Sequence, residues 1–99
     1  MANYILSNKA VDDLSGIWNY TFDVWSEKQT DKYYNILLES CQEIASAKVS
    51  GRHYPEIDTE IFGCRIMQHI IFYRLTKKDK VEIVRILHSR MDLKDRISE

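Results

Sequence analysis

Six residues of this 99-residue chain pair a chemically capable side chain with a position that demands an explanation: Trp25, Arg65, Tyr73, Arg85, His88 and Arg90. Arg65, Tyr73 and Arg85 fall inside strand-like runs, and the last run empties into His88-Ser89-Arg90-Met91-Asp92. An arginine on a strand needs a reason, because its guanidinium resists burial without a partner. Two readings are open for Arg65 and Arg85. They extend from the open sheet face into water or onto local carboxylates, or they form a concave basic patch for an acidic ligand, since guanidinium suits carboxylate and phosphate. His88 titrates in the range where an imidazole can exchange protons, so it is either a general acid–base or a solvated, hydrogen-bonded ring. Trp25 is either a core anchor or a half-exposed interface residue. Lys77, Lys78 and Lys80 read as the solvated charges of a turn.

No catalytic signature accompanies these residues. The chain has no Gly-rich phosphate loop, no nucleophile elbow and no Cys or His spacing suited to zinc. His53, His69 and His88 are too scattered along the chain to define a metal site, so neither a metal nor a cofactor is expected. A chain of this length makes one domain, spanning residues 1–99, and buries somewhat under about two-thirds of its unfolded surface. No apolar run approaches the roughly 18–20 residues that cross a bilayer. The N-terminus passes directly into the strand-like Asn3-Tyr4-Ile5-Leu6 without a signal peptide, so the expectation is a cytoplasmic protein with no membrane partner. Cys41 and Cys64, mid-helix and mid-strand, read as reduced core thiols. Residues 1–50 carry four basic and seven acidic side chains, and residues 51–99 carry ten and eight. That mild polarity falls short of a direct, sequence-specific nucleic-acid binder and suits a protein partner.

The elements that must position these residues follow from periodicity. Ser7 is an N-cap for a helix running to about Trp25, with Val11, Leu14, Ile17, Trp18, Thr21, Phe22 and Trp25 on one apolar face. Asp12 and Asp13 lie in its first turns, where the helix dipole favours negative charge. Ser26-Glu27-Lys28-Gln29 has a capping-box pattern that starts a second helix, with Tyr33, Tyr34, Leu37, Leu38, Cys41, Ile44 and Ala45 inward and Gly51 as its C′ residue. So short a break implies an antiparallel helical hairpin. Gly51 to Glu60, with the single proline, reads as a loop. Ile61–Met67, His69–Leu75 and Val81–Leu87 then read as an antiparallel meander. In the last strand Val81, Ile83, Arg85 and Leu87 should point one way, and Glu82, Val84, Ile86 and His88 the other. The expected fold is α+β, ordered β-α-α-β-β-β, with the helical hairpin packed on a small antiparallel sheet.

Three stretches resemble one known family. Tyr4-Ile5-Leu6-Ser7 with Ala10, Asp13-Leu14, Ile17 and Tyr20 is similar to the N-terminal pattern of ParE toxins, as is Trp25-Ser26-Glu27-Lys28-Gln29 with Tyr33 after it. His69-Ile70-Ile71-Phe72-Tyr73-Arg74 and Arg85-Ile86-Leu87-His88-Ser89-Arg90-Met91-Asp92 form the most specific part of the likeness. The resemblance is to the RelE/ParE toxin superfamily of bacterial toxin–antitoxin modules, on its ParE branch, and covers nearly the whole chain. It implies the same fold, a ParD-like antitoxin held in a heteromeric complex, and DNA gyrase as target. It also implies an alternative, a ribosome-dependent mRNA endonuclease of the RelE type, in which Arg65, Arg85, His88 and Arg90 would stabilise phosphate charge and supply an acid. A third implication is a binding module on this fold that has lost toxicity. The lysine cluster of the nuclease branch is missing, and no aromatic residue follows His88. The resemblance therefore favours a non-enzymatic toxin, with Trp25, Arg65, Tyr73, Arg85, His88 and Arg90 as target- or antitoxin-binding candidates.

Overall fold

The structure, a computed structural model, describes residues 4–47, 50–76, 80–90 and 97. Lys77, Lys78, Met91 and Asp92, singled out above, lie outside the described residues. The elements run β1 (Tyr4–Leu6), α1 (Asn8–Val24), α2 (Glu27–Ala45), β2 (Arg52–His53), β3 (Phe62–Ile66), β4 (His69–Leu75) and β5 (Val81–His88). They form the expected α+β arrangement, a helical hairpin on a sheet ordered β1-β5-β4-β3-β2. Two details differ from expectation. β1 runs parallel to β5 across the N-terminal crossover, so the sheet is mixed. The supposed loop after α2 contributes a two-residue edge strand, β2, antiparallel to β3.

Helix boundaries follow local chemistry. The Ser7 hydroxyl accepts from the Ala10 N–H at 3.0 Å, and the Ser26 hydroxyl accepts from the Gln29 N–H at 3.2 Å, each satisfying an orphan donor of a first turn. Between the helices Trp25 is extended (φ −112°, ψ 176°), which reverses the chain within two residues. Helix α2 closes with Ser46 as its cap, and Ala47 takes the left-handed C′ position at φ 58° in place of Gly51. Gly51 has another role. Its N–H donates to the Tyr73 hydroxyl at 2.8 Å, and a Cβ there would meet that oxygen at 2.7 Å.

The sheet is covered on both faces. Helices α1 and α2 bury Ala10, Leu14, Tyr33, Leu37, Cys41 and Ile44 against Ile71, Tyr73, Val81, Ile83 and Ile86. The face expected to be open carries a second cluster of Ile61, Ile70, Phe72 and Leu87, roofed by Tyr54, Ile57 and Ile97. The Tyr54 ring lies so close to β3 that a Cβ at Gly63 would meet its Cε1 at 2.6 Å.

β5 departs from strict alternation. Phe72 pairs with Arg85 but Tyr73 pairs with Ile83, so Val84 is an extra residue, a β-bulge. As a result Val81, Ile83 and Ile86 share the helix-facing core, while Val84 and Leu87 join the opposite cluster. The predicted faces are therefore correct before the bulge and inverted at Ile86, Leu87 and His88, whereas Arg85 still reaches α1. Polar groups freed by the bulge are recaptured from the first helix and its cap. The Ser7 hydroxyl donates to the Val84 carbonyl at 2.7 Å, and the Ile86 N–H donates to Asp13 Oδ2 at 3.0 Å.

Candidate functional site

Beside the C-terminal half of α1 runs a groove of about 700 Å³. Ile17, Tyr20, Val24 and Trp25 form its helical wall, Tyr33 of α2 closes one side, and Gln68, His69, Ile86, His88 and Arg90 form the sheet side. Its wall is visibly apolar toward solvent: Tyr20 is 70%, Val24 59% and Trp25 43% exposed. Val11 and Phe22, expected on the inner face, are exposed as well, because the Ala10, Leu14 and Thr21 stripe contacts the core instead. A smaller depression lined by Gln29, Lys32, Ile36 and Met67 begins on the other side of Trp25 and Tyr33. Trp25 is thus a ridge between two hollows, the half-exposed alternative of the two readings, seated edge-on against Tyr33 at 5.6 Å.

Four of the six candidate residues converge here: Trp25, Arg85, His88 and Arg90 all border the groove. They are not equally available. Arg85 is 8% exposed, and its Nε and Nη2 donate to the two oxygens of Asp13 at 2.8 and 2.9 Å. It belongs to the pairing alternative, with a carboxylate 72 positions away in sequence, and not to an open basic patch. Asp13 likewise spends its charge on this bond and on the bulge; no acidic residue lies in the first turn of α1. Arg65 stands on the sheet face turned from the helices, across from Ile70, with its Nε donating to the Met67 carbonyl at 3.2 Å. Tyr73 is buried in the main core, stacked on Phe62, with its hydroxyl accepting from Gly51. Arg65 and Tyr73 therefore lie apart from the other four.

His69 and Tyr33 complete the site and were not among the candidates. Tyr33 Oη lies 2.5 Å from His69 Nδ1, and the His69 and His88 rings meet edge-to-face at 5.3 Å. Trp25, Tyr33, His69 and His88 so form a continuous ladder of rings along the groove. Burial, reinforced by neighbouring His88, pushes the His69 pKa down to about 4. Burial also raises the Tyr33 phenol, partly offset by the Gln68 backbone N–H that favours the phenolate. The His69–His88 contact depends on the bulge. One-to-one counting back from the β4–β5 turn puts His69 opposite Leu87, and the extra residue at Val84 moves its partner to His88. Among the described residues no group of three His, Cys, Asp or Glu side chains is placed to hold a metal ion, and no helix is long and apolar enough to cross a membrane.

A helical hairpin laid on a mixed sheet whose C-terminal meander ends at this groove is the RelE/ParE-like class of α+β fold. A chain of a solved structure described as the chromosomal ParDE TA system from P. aeruginosa superposes with TM-score 0.76, covering 89% of this chain and 96% of that one, at 16% identity. The model of the ParE toxin family of type II toxin–antitoxin systems, parDE, matches residues 4–93. Toxin ParE1 of Mycobacterium tuberculosis is 33% identical over 92 residues, which is 93% of this chain and 94% of the relative. Toxin ParE of Escherichia coli is 29% identical over 99 residues, covering 100% of this chain and 96% of the relative. The chain belongs to the ParE toxin family.

Proposed function

We propose that this protein is the toxin half of a type II toxin–antitoxin module, that a ParD-like antitoxin occupies the groove beside Trp25, and that the unbound toxin acts on DNA gyrase. It works as a single domain over residues 1–99, in the cytoplasm, by binding and not by catalysing a reaction. The observation that carries the reading is the solvent-facing apolar wall of Tyr20, Val24 and Trp25 beside a groove, on a chain of the ParE family. Contiguous exposed apolar surface rimmed by polar residues marks an interaction site, and a groove between a helix and a sheet suits an amphipathic segment.

A nuclease needs charge stabilisation and proton transfer assembled around one phosphate. Of the residues that would serve it, Arg65 faces away from the groove and Arg85 is held by Asp13, which leaves only His88 and Arg90 adjacent. This dispersal supports the binding reading over the RelE-type one.

Expression alone should arrest growth with DNA-damage filamentation, and co-expression of the antitoxin encoded beside the gene should restore it. Purified toxin should inhibit gyrase in a supercoiling assay while leaving translated mRNA intact. Trp25→Ala should weaken antitoxin binding about thirtyfold, the loss typical of a central aromatic anchor. Cleavage of ribosome-bound mRNA with unimpaired supercoiling would overturn the gyrase reading, and harmless expression would point to a non-toxic module.

A further inference from the structure

Both histidines of the groove are held in the same tautomer. His88 Nδ1 accepts the Arg90 backbone N–H at 3.1 Å, so the neutral ring carries its proton on Nε2. For His69, the Tyr33 hydroxyl lies 2.5 Å from Nδ1, and a phenol is a better donor to a neutral imidazole nitrogen than an acceptor from one, so the phenolic hydrogen is donated to Nδ1. His69 thus also carries its proton on Nε2. Neither Nε2–H has a partner among the described residues. Because no fully buried side-chain nitrogen or oxygen among them lacks a partner, both N–H groups keep contact with solvent, and both rings line the groove. Arg90 is exposed beside them, its guanidinium unpaired among the described residues.

A purely apolar segment filling the groove would strip water from two N–H donors and return nothing, which is costly. The occupant must bring an acceptor to this end. Along the α1 side of the site Asp13 faces Arg85 with both oxygens engaged, and exposed Asp12 repels a second carboxylate. We infer that the β4–β5 end of the groove is a carboxylate-binding subsite, where the Nε2–H groups of His69 and His88 and the Arg90 guanidinium receive an acidic side chain of the antitoxin segment. The inference rests on the antitoxin reading of the groove. Charge-assisted N–H···O⁻ bonds of this kind are the stronger class, and they would set the register of a segment whose apolar side chains pack on Trp25 and Val24.

The test is a double-mutant cycle on the toxin–antitoxin complex, with Trp25→Ala as a separate arm. His88→Phe keeps the ring volume, and Arg90→Gln changes an exposed side chain that the fold does not need. Each should weaken antitoxin binding about tenfold or more, and each should lose its effect when one particular Asp or Glu of the antitoxin is replaced by Ala. Long-range ¹H–¹⁵N spectra of the free toxin should show both rings protonated at Nε2. If Trp25→Ala weakens binding while His88→Phe and Arg90→Gln do not, the subsite is wrong and the groove stands. If all three bind like the wild type, the groove reading itself fails and takes the subsite with it. Losses that couple to no acidic residue, or that appear only against a single-stranded RNA oligonucleotide, also overturn it; the latter would mark a phosphate site. Should His88→Phe unfold, Arg90→Gln and the spectra decide the matter.

Discussion

Asp13→Ala should be among the most damaging single substitutions in this chain. The carboxylate accepts three hydrogen bonds, two from Arg85 at 2.8 and 2.9 Å and one from the Ile86 N–H at 3.0 Å. Both side chains are largely withdrawn from water, at 9% and 13% relative exposure. Removing one member of such a pair leaves the guanidinium buried without the carboxylate that faces it, which costs about 3–5 kcal/mol. That is a large share of the 5–15 kcal/mol or so that a domain has in total. For a chain of this size it corresponds to a fall in Tm of about 12–40 °C, at about 4–8 °C per kcal/mol. Asp13→Asn should cost clearly less, because the amide oxygen can still accept from Ile86. The double substitution Asp13→Leu with Arg85→Met should recover most of the loss, since a buried ion pair roughly breaks even against apolar packing of similar volume. Urea denaturation of the three variants measures all of this. If Asp13→Ala and Asp13→Asn both fall within about 0.5 kcal/mol of the wild type, as surface substitutions do, then the pair does not anchor the bulge and the account of β5 is wrong.

The remaining expectations concern separate parts of the fold. His69 has its pKa lowered on folding to about 4, so between pH 6.5 and that value the unfolded chain binds a proton that the folded one does not. Stability should therefore fall as pH drops through this window and be unaffected by His69 above it; denaturation of His69→Gln at pH 7 and pH 5 should show a flatter profile than the wild type. Burial pushes the Cys41 thiol up to about 12, so a thiol reagent should label it in the native protein only after unfolding, with mass spectrometry assigning the site. Phe72→Ala empties a fully buried position in the smaller cluster and should cost about 3–5 kcal/mol by chemical denaturation. Met67 sits at φ 55° in the β3–β4 turn, so Met67→Gly should be neutral or stabilising by up to about 1 kcal/mol, against the usual penalty for glycine.

Much of the fold was legible because its causes are local. A serine heading an apolar 3–4 repeat, or a serine with glutamine three residues on, specifies a helix start whatever lies elsewhere, and both Ser7 and Ser26 cap as expected. The β-branched runs at 62–66, 69–75 and 81–88 became strands for the same reason. Errors arose where a face depends on what packs against it. Val11 and Phe22 fit an apolar helical stripe, yet small Ala10 and Thr21 let α1 approach the sheet on a slightly rotated face. Gly51 looked like a helix terminator, but the turn closed earlier on Ala47, and the glycine was needed beneath the Tyr73 hydroxyl.

The candidate site divides along the same line. By itself the sequence determined that Trp25 would sit at a two-residue helix junction and that His88 and Arg90 would follow the last strand, since chain order and periodicity suffice for both. Only the tertiary structure decided that Arg85 would be neutralised by Asp13, that His69 would stand opposite His88, and that Tyr33 would orient it. The physical reason is the single extra residue at Val84. A bulge is a mismatch of two residues against one, which exists only once two strands are paired, and it inverts the facing of Ile86, Leu87 and His88 beyond it.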